Sequence, residues 1–193
     1  MVEQARWHCK PCPACQKWKR QRKKHGHLPP KEAEAGPWAQ AHADMMGPLT
    51  VAGASKKTHS FLVLAAAGPA TGWLECVPAA DTKSYTAMEA FSNAWLRRHP
   101  RPPSTRLGNG TEFKAAFEKM CDNYSMKKKP TATCNPRSNG IAERIHQALR
   151  GSLATFEMPK LELPTASPFD SFAAAAPWAI RSSYHSTLKA TPG

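Results

Sequence analysis

Apolar positions in the middle of the chain follow the patterns of β-strands. The run Ser60–Ala67 is almost entirely apolar, which is typical of a strand buried on both faces, and Trp73–Pro78 alternates between apolar and polar residues. His42–Leu49 is a further strand-like segment ahead of them, and Ser104–Leu107 and Tyr124–Lys129 are two short ones behind. We therefore predict a sheet of five strands.

Helical periodicity predicts the elements that flank this sheet. Thr82–Arg98 collects its apolar side chains on one side, and Glu112–Asn123 follows a turn with two glycines. A third helix is predicted to begin near Ser138 or Asn139, after a proline-containing loop, and Phe169–Ser183 to form a fourth, bent at its internal proline. Strands and helices that alternate in this way indicate an α/β fold.

The third predicted helix has a mixed polar face. Its apolar side would hold Ile141, Ile145, Ala148, Leu149 and Leu153. Glu143, His146, Gln147 and Arg150 fall on the opposite side. A carboxylate flanked by basic and amide side chains suits a site that meets phosphate. An ordinary solvated helix face explains the same pattern, so the helix alone does not decide between them.

The charge balance points to a polyanionic partner. Lys and Arg total 27 against 14 acidic residues, for a net charge of +13, which favours nucleic acid first and an anionic membrane surface second. No stretch approaches the roughly 20 apolar residues of a membrane span, and the N-terminus lacks a signal-peptide core. We expect an intracellular protein that is not secreted. Six cysteines, three of them within Cys9–Cys15, suit a reduced compartment better than a disulfide framework.

Two segments carry recognisable motifs. Residues 108–113 read Gly-Asn-Gly-Thr-Glu-Phe, and residues 135–144 read Asn-Pro-Arg-Ser-Asn-Gly-Ile-Ala-Glu-Arg. Together they resemble the integrases of LTR retrotransposons, especially gypsy-like elements, and more distantly those of retroviruses. The resemblance implies an RNase H-like integrase core, an α/β fold with a five-stranded mixed sheet flanked by helices, here with a short basic N-terminal extension.

The resemblance also implies a catalytic site and shows a gap in it. Integrases hold two divalent ions with an Asp, a second Asp and a Glu. Asp44 matches the first Asp and Glu143 matches the Glu, so both are expected as catalytic residues and as ligands for Mg²⁺ or Mn²⁺. The second Asp should stand thirty-five residues before the Glu, and that position is Gly108. The metal site is therefore expected to be weakened, unless Glu112 replaces the lost carboxylate through a shifted turn.

The N-terminal cysteines form at most half a zinc site. Cys12 and Cys15 have the spacing of one ligand pair, and an intact tetrahedral site would have to enlist nearby histidines or Cys9. An iron–sulfur site lacks the cysteines that it would need further along. By resemblance the pair belongs to the zinc-binding N-terminal domain of integrases. We predict a remnant of that domain plus a basic arm at 1–27, a linker at 28–37 and the catalytic core, cut short on its C-terminal side, at 38–193.

Basic and amide side chains in three regions are the predicted DNA contacts. The run Lys17–Lys24 is compatible with a solvated arm, a nuclear-targeting segment or a phosphate-binding strip. The lysine trio Lys127–Lys129 is either a solvated sheet edge or a set of phosphate contacts. The predicted DNA-binding residues are Lys19, Arg20, Arg22, Lys23, Lys24, Lys127, Lys128, Asn139, Arg144, Gln147 and Arg150.

Three functions remain open at this stage. The first is a retroelement integrase core, a polynucleotidyl transferase that processes element DNA ends and inserts them into target DNA, impaired by Gly108. The second is a catalytically silent DNA-binding protein, domesticated or a relic. The third is a small zinc-binding basic protein. The first two imply DNA as partner, and the resemblance adds a homo-oligomer located in the nucleus or in a cytoplasmic element particle.

Overall fold

The structure, a computed structural model, describes residue 12 and residues 36–52, 58–130, 145–153, 168–185 and 188–192. Its centre is a five-stranded sheet. The strands are β1 Gln40–Ala52, β2 Thr58–Ala67, β3 Leu74–Ala79, β4 Ser104–Leu107 and β5 Lys127–Pro130. They lie in the order β3-β2-β1-β4-β5, with antiparallel pairs on the β3 side of β1 and parallel pairs on the β5 side. The predicted five-stranded mixed sheet is confirmed.

Four α-helices flank the sheet in the described part of the chain. They are α1 Ser84–Phe91, α2 Ala116–Asn123, α3 at residues 145–153 and α4 Pro168–Ser182. A π-helical turn, Ser92–Leu96, continues α1, so the predicted long helix there is present with a change of pitch near its end. The helix α4 runs through its internal proline without ending. None of the described helices combines the length and apolar character that a membrane crossing needs.

The predicted helix Glu112–Asn123 is interrupted. Thr111–Phe113 forms a 3₁₀ turn, and Ala115, with φ of 47°, separates it from α2. The hydroxyl of Ser84 bridges the break, because it donates to the carbonyl of Lys114 and accepts from the amide of Phe117 at 3.1 Å. These contacts join residues 30 and 33 positions apart, so the local sequence gives no sign of the interruption.

Strand β5 begins later than its sequence predicts. Tyr124 and Ser125 form a turn rather than strand, with Ser125 at a φ of 51°. The amide of Met126 donates to Cys121 O at 2.8 Å and so closes the C-terminus of α2. The chain therefore enters β5 only at Lys127, which shortens the predicted strand from its N-terminal side.

Alternate residues of the sheet face two separate hydrophobic clusters. Ala41, Ala43, Leu64 and Ala66 pack with Trp95 of the π-helical turn and with side chains from α1 and α2, on what we call the α1/α2 face. On the opposite side, the α3/α4 face, the core residues are Met46, Phe61, Val63, Ala65, Leu149, Phe172 and Ala176. Strand β2 contributes to both clusters, as its continuous apolar run predicts. Because β1 alternates in the same way, its even-numbered residues from His42 to Met46 belong to the α3/α4 face.

A bulge interrupts β1 soon after Asp44. The pairing with β2 shifts register between Met46 and Leu49, and Gly47 has a φ of 132°. A Cβ at Gly47 would stand 2.8 Å from the carbonyl oxygen of Phe61. Both the backbone conformation and the close approach therefore require glycine here.

Candidate active site

Asp44 lies on the central strand, beside the end of β4. Ala43 pairs with Leu107 at the last rung of the parallel β1–β4 ladder. The amide of Gly108 then donates a hydrogen bond to Ala43 O at 3.2 Å, which continues the ladder by one residue. Positions 44 and 108, which the integrase resemblance assigns to the first two carboxylates, are therefore direct neighbours in the structure.

The Asp44 carboxylate occupies the space that a side chain at 108 would need. A Cβ built on Gly108 would collide with Asp44 Oδ1, and would lie 3.2 Å from Asp44 Cγ and 3.3 Å from Phe113 Cε2. The first of these contacts can be relieved by rotating Asp44, because it involves the end of a side chain and not backbone. Replacing Gly108 with a larger residue therefore requires the Asp44 carboxylate to move.

His146 is the main partner of Asp44 on the α3/α4 face. Its Nε2 lies 3.3 Å from Asp44 Oδ2, and about a quarter of each side chain is exposed (26% and 25%). His146 belongs to α3, whose Leu149 is buried against the sheet. The sequence places His146 on the polar side of this helix together with Glu143, but did not single it out. Its position three residues after Glu143, on the same helical face, was the available signal.

Several neighbours act in opposite directions on the pKa of Asp44. Burial of the carboxylate is the largest effect and raises the pKa above its ordinary value of 3.8. The charge of His146 and the amide of Met45, which donates to Asp44 Oδ1 at 3.0 Å, both lower the pKa. The negative charge of Glu112 raises it again, and the overall direction is upward.

Glu112 reaches toward the site from the 3₁₀ turn. Its carboxylate folds back over Gly110, where it fills the place that a Cβ would take. Its charge is close enough to Asp44 to raise the pKa of that carboxyl. Glu112 is thus electrostatically coupled to Asp44.

The described residues do not fit a two-ion magnesium site. Mg²⁺ prefers oxygen ligands in octahedral geometry, whereas Asp44 has an imidazole on one side and a glycine on the other. Within the described ranges, no group of three or more His, Cys, Asp or Glu side chains is arranged to hold a metal ion. Glu143 lies outside the described residues, and so does Cys15, the predicted zinc-pair partner of half-buried Cys12.

Four of the predicted DNA-binding residues lie in the described part of the chain, and all four are exposed. Gln147 and Arg150 are exposed on α3, and Lys127 and Lys128 are exposed on β5. Ala148, which the helical pattern assigned to the apolar side of α3, is exposed as well, so that part of the pattern was wrong. Outside the described residues lie Asn139, Arg144 and the basic-arm residues Lys19, Arg20, Arg22, Lys23 and Lys24.

Comparison with solved structures identifies the architecture. The HTLV-2 integrase catalytic core domain in complex with magnesium superimposes with a TM-score of 0.62 at 16% identity, over 81% of this chain and 94% of that one. The catalytic core domain of BIV integrase gives a TM-score of 0.57 at 16% identity, over 78% and 90%. The chain has the integrase-core fold. A chain of the simian T-cell lymphotropic virus intasome, in complex with PP2A regulatory subunit B56 gamma, gives a TM-score of 0.67 at 18% identity over all of this chain.

Sequence comparison adds a relative of much greater length. An uncharacterized Caenorhabditis elegans protein, K02A2.6, is 26% identical over 128 residues, which is 66% of this chain and 9% of that protein. This chain also spans 65% of the intasome chain. No protein-family profile matches it. The integrase-core fold and the recognition of it from the sequence motifs are confirmed, with Asp44 and Gly108 at adjacent positions of that core.

Proposed function

We propose that this chain is the integrase-like core of a gypsy-like retroelement, which binds DNA and joins DNA ends weakly or not at all. The observation that carries the proposal is the position of the Asp44 carboxylate, which fills the space beside Gly108. Strand transfer in integrases is a two-ion reaction, and two-ion sites need several carboxylate ligands around ions about 4 Å apart. A glycine at the second acidic position supplies no oxygen ligand.

The neighbours of Asp44 support the loss of activity. Both carboxylate oxygens already have close neighbours, since Oδ1 accepts from the amide of Met45 and Oδ2 lies 3.3 Å from His146 Nε2. A divalent ion would have to displace these interactions and rotate the carboxylate. Glu112 is the one other described carboxylate that affects the pKa of Asp44, and it remains the first candidate for a replacement ligand.

The charge of the chain supports DNA as the partner. A net charge of +13, together with the exposed Arg150 and Gln147 next to His146 on α3, is suited to phosphate contacts. Binding of this kind releases counterions and weakens steeply with salt. We propose a homo-oligomer that contacts element and target DNA in the nucleus or in a cytoplasmic element particle. The HTLV-2 core has been solved in dimeric and trimeric forms, which supports the oligomer.

The test compares three proteins in a strand-joining assay with Mg²⁺ or Mn²⁺. They are the unmodified chain, Gly108→Asp, and Gly108→Ala as the matched control, because the alanine imposes the same Cβ on Asp44 without adding a ligand. Each is also assayed for the reverse reaction on a branched DNA substrate, which demands less of the protein. Activity in Gly108→Asp alone is the expected result.

Two other outcomes would change the proposal. Efficient joining by the unmodified chain would overturn the claim of impairment and direct attention to Glu112, through a Glu112→Gln variant. Silence of all three proteins with salt-sensitive DNA binding retained would favour the alternative of a catalytically silent DNA-binding protein. Absence of DNA binding at low salt would overturn both.

A further inference from the structure

The three consecutive lysines of β5 are divided between the two faces of the sheet. In the parallel β4–β5 ladder, Thr105 pairs with Lys128 and Arg106 pairs with Lys129. Paired residues on neighbouring strands project to the same face, and successive residues of one strand project to opposite faces. Lys127 and Lys129 therefore share one face, and Lys128 lies on the other.

Lys128 belongs to the α1/α2 face. Its partner Thr105 is fully buried and contacts Met126 Sδ at 3.8 Å on that side. Lys128 Nζ lies 3.2 Å from Asp122 Oδ1, and Asp122 is part of α2. The charge of Lys128 is thus offset by a carboxylate of the helix that covers this face.

Lys127 and Lys129 belong to the α3/α4 face, the face of Asp44. Arg106, the partner of Lys129, pairs on its other side with His42 of β1. His42 and Asp44 are two residues apart, so they project to the same face. Burial first and the charge of neighbouring Arg106 second lower the pKa of His42 to about 4.

The result is a row of cationic side chains that leads from the Asp44 site to β5, the last strand in the order of the described sheet. Arg106 stands one strand from His42, and Lys129 and Lys127 follow on edge strand β5. Lys127 and Lys129 are exposed, and neither forms an ion pair with another described residue. Residues two apart on a strand are separated by about 6.6 Å, so their ammonium groups can reach different phosphates of one DNA strand.

We propose that Arg106, Lys129 and Lys127 form a phosphate-binding strip that holds the backbone of DNA as it leaves the Asp44 site across β5. The strip rests on the proposed function, since it requires that the chain binds DNA. The strip includes only two of the three consecutive lysines of β5, because Lys128 lies on the opposite face and is paired with Asp122.

The experiment measures DNA affinity as a function of salt for the unmodified chain and three variants. These are Lys127→Gln, Lys129→Gln and, as the matched control, Lys128→Gln, which removes the same charge from the same strand on the opposite face. Fluorescence anisotropy of a labelled DNA duplex gives the slope of log K against log salt. Each lysine of the strip should reduce that slope by about 0.9, the value for one phosphate contact, and Lys128→Gln should leave it unchanged.

Arg106 is tested through its charge. Arg106→Lys should leave the slope of log K against log salt unchanged. Arg106→Gln should reduce that slope by about 0.9, the value for one phosphate contact. A thermal melt of each variant accompanies the titrations, because Arg106 is half-buried and its loss can also affect folding. A reduced slope in Arg106→Gln with the melting temperature unchanged is the expected result.

The outcomes separate this proposal from the one on which it rests. If the unmodified chain does not bind DNA, the proposed function fails. If the unmodified chain binds and Lys128→Gln lowers the slope as much as Lys127→Gln and Lys129→Gln do, the strip is overturned and the DNA-binding function stands. Unchanged slopes in Lys127→Gln and Lys129→Gln would overturn the strip in the same way.

Discussion

Two carboxylates of the same sheet have opposite surroundings. Glu75 on edge strand β3 is 7% exposed and accepts hydrogen bonds from Trp73 Nε1 at 3.0 Å and Arg181 Nη1 at 2.7 Å. His99 Nε2 lies 3.2 Å from the same carboxylate. Asp44 on central strand β1 is more exposed, and the imidazole of His146 lies 3.3 Å from its carboxylate. The more deeply buried carboxylate is also the better satisfied one, as burial requires.

Glu75 and its partners connect the two layers of helices. Arg181 comes from α4, which packs on the α3/α4 face through Phe172 and Ala176. It donates to the backbone carbonyl of Leu74 at 2.9 Å as well as to Glu75. Glu75 pairs with Ala66, whose side chain belongs to the opposite cluster. The interaction therefore passes around the sheet edge and ties α4 to the α1/α2 face.

Aromatic rings enclose this interaction. His99 stacks on Trp38 at a centroid distance of 5.0 Å, and contacts Trp73 and Trp95 edge-on at 5.5 and 5.1 Å. The guanidinium of Arg181 lies 4.8 Å from the ring centroid of Trp73. Rings on several sides keep water away and fix the donors around Glu75. A carboxylate held in this way is structural, whereas Asp44 is more exposed and has fewer donors around it.

The largest effect is expected from breaking the Glu75 interaction. Glu75→Gln removes the charge that pairs with partly buried Arg181, and removal of one partner of a buried ion pair typically costs about 3–5 kcal/mol. Asp44→Asn, the matched change at the other carboxylate, should alter the free energy of unfolding by less than about 1 kcal/mol. Urea unfolding of both variants at neutral pH measures the difference. Equal losses in the two variants would contradict the structural contrast.

The next largest effect is expected from His42, on the same face of the sheet as Asp44, and it concerns the pH dependence of the free energy of unfolding. The folded pKa of His42 is about 4, below its ordinary value of 6.5. Between these two values the unfolded chain binds a proton that the folded chain does not. The free energy of unfolding should therefore fall as the pH is lowered through this window, by at most about 3 kcal/mol at about 1.4 kcal/mol for each pKa unit.

The control for this prediction is His42→Gln, which removes the titrating group. Urea unfolding at a series of pH values between about 4 and 7, a range that spans the ordinary histidine pKa, should give a flatter stability profile for the variant than for the unmodified chain. Parallel profiles would mean that groups other than His42 cause the pH dependence.

A smaller change is expected at Gly108. Gly108→Asp and Gly108→Ala both force Asp44 to rotate, and overpacking of this kind costs about 1–3 kcal/mol. Only Gly108→Asp adds a carboxylate, so only this variant should regain stability in millimolar Mg²⁺, through binding to the folded state. Thermal melts with and without Mg²⁺ measure this change in stability. A Mg²⁺ response in Gly108→Ala, or in neither variant, would show that position 108 does not complete an ion site.

The sequence carried more information about the sheet than about either carboxylate. The apolar run of β2 and the short strand Ser104–Leu107 are both predicted from the sequence. These features depend on local pattern, because burial on one or both faces fixes the spacing of apolar residues. The motif spacing also identifies Gly108 as the altered position.

What the sequence left out depends on contacts between distant residues. Arg181 and Glu75 are 106 positions apart, and nothing in the strand that contains Glu75 indicates a buried ion pair. The rotation of Asp44 toward Gly108 and His146 is a choice among side-chain conformations, which periodicity does not report. The break at Ala115 follows from the hydroxyl of Ser84, another residue far along the chain.

The smallest expected effect is a change in the alkylation rate of Cys76, which reports on its neighbour Glu75. The pKa of the Cys76 thiol is raised to about 12, by burial first and by the charge of Glu75 second, while Arg181 lowers it. Glu75→Gln removes the second cause and keeps the first, so alkylation of Cys76 by iodoacetamide should accelerate by less than about tenfold, the effect of one pKa unit on the thiolate fraction.

Cys121 provides the internal control for this measurement. Its thiol pKa is raised to about 11, mainly by burial, and neither Glu75 nor Arg181 contributes to the shift. Timed alkylation followed by mass spectrometry should show faster modification of Cys76 alone in Glu75→Gln, and no change at either thiol in Asp44→Asn. Equal acceleration of both cysteines would instead report a general loosening of the fold, because only a global opening exposes two thiols in separate hydrophobic clusters together.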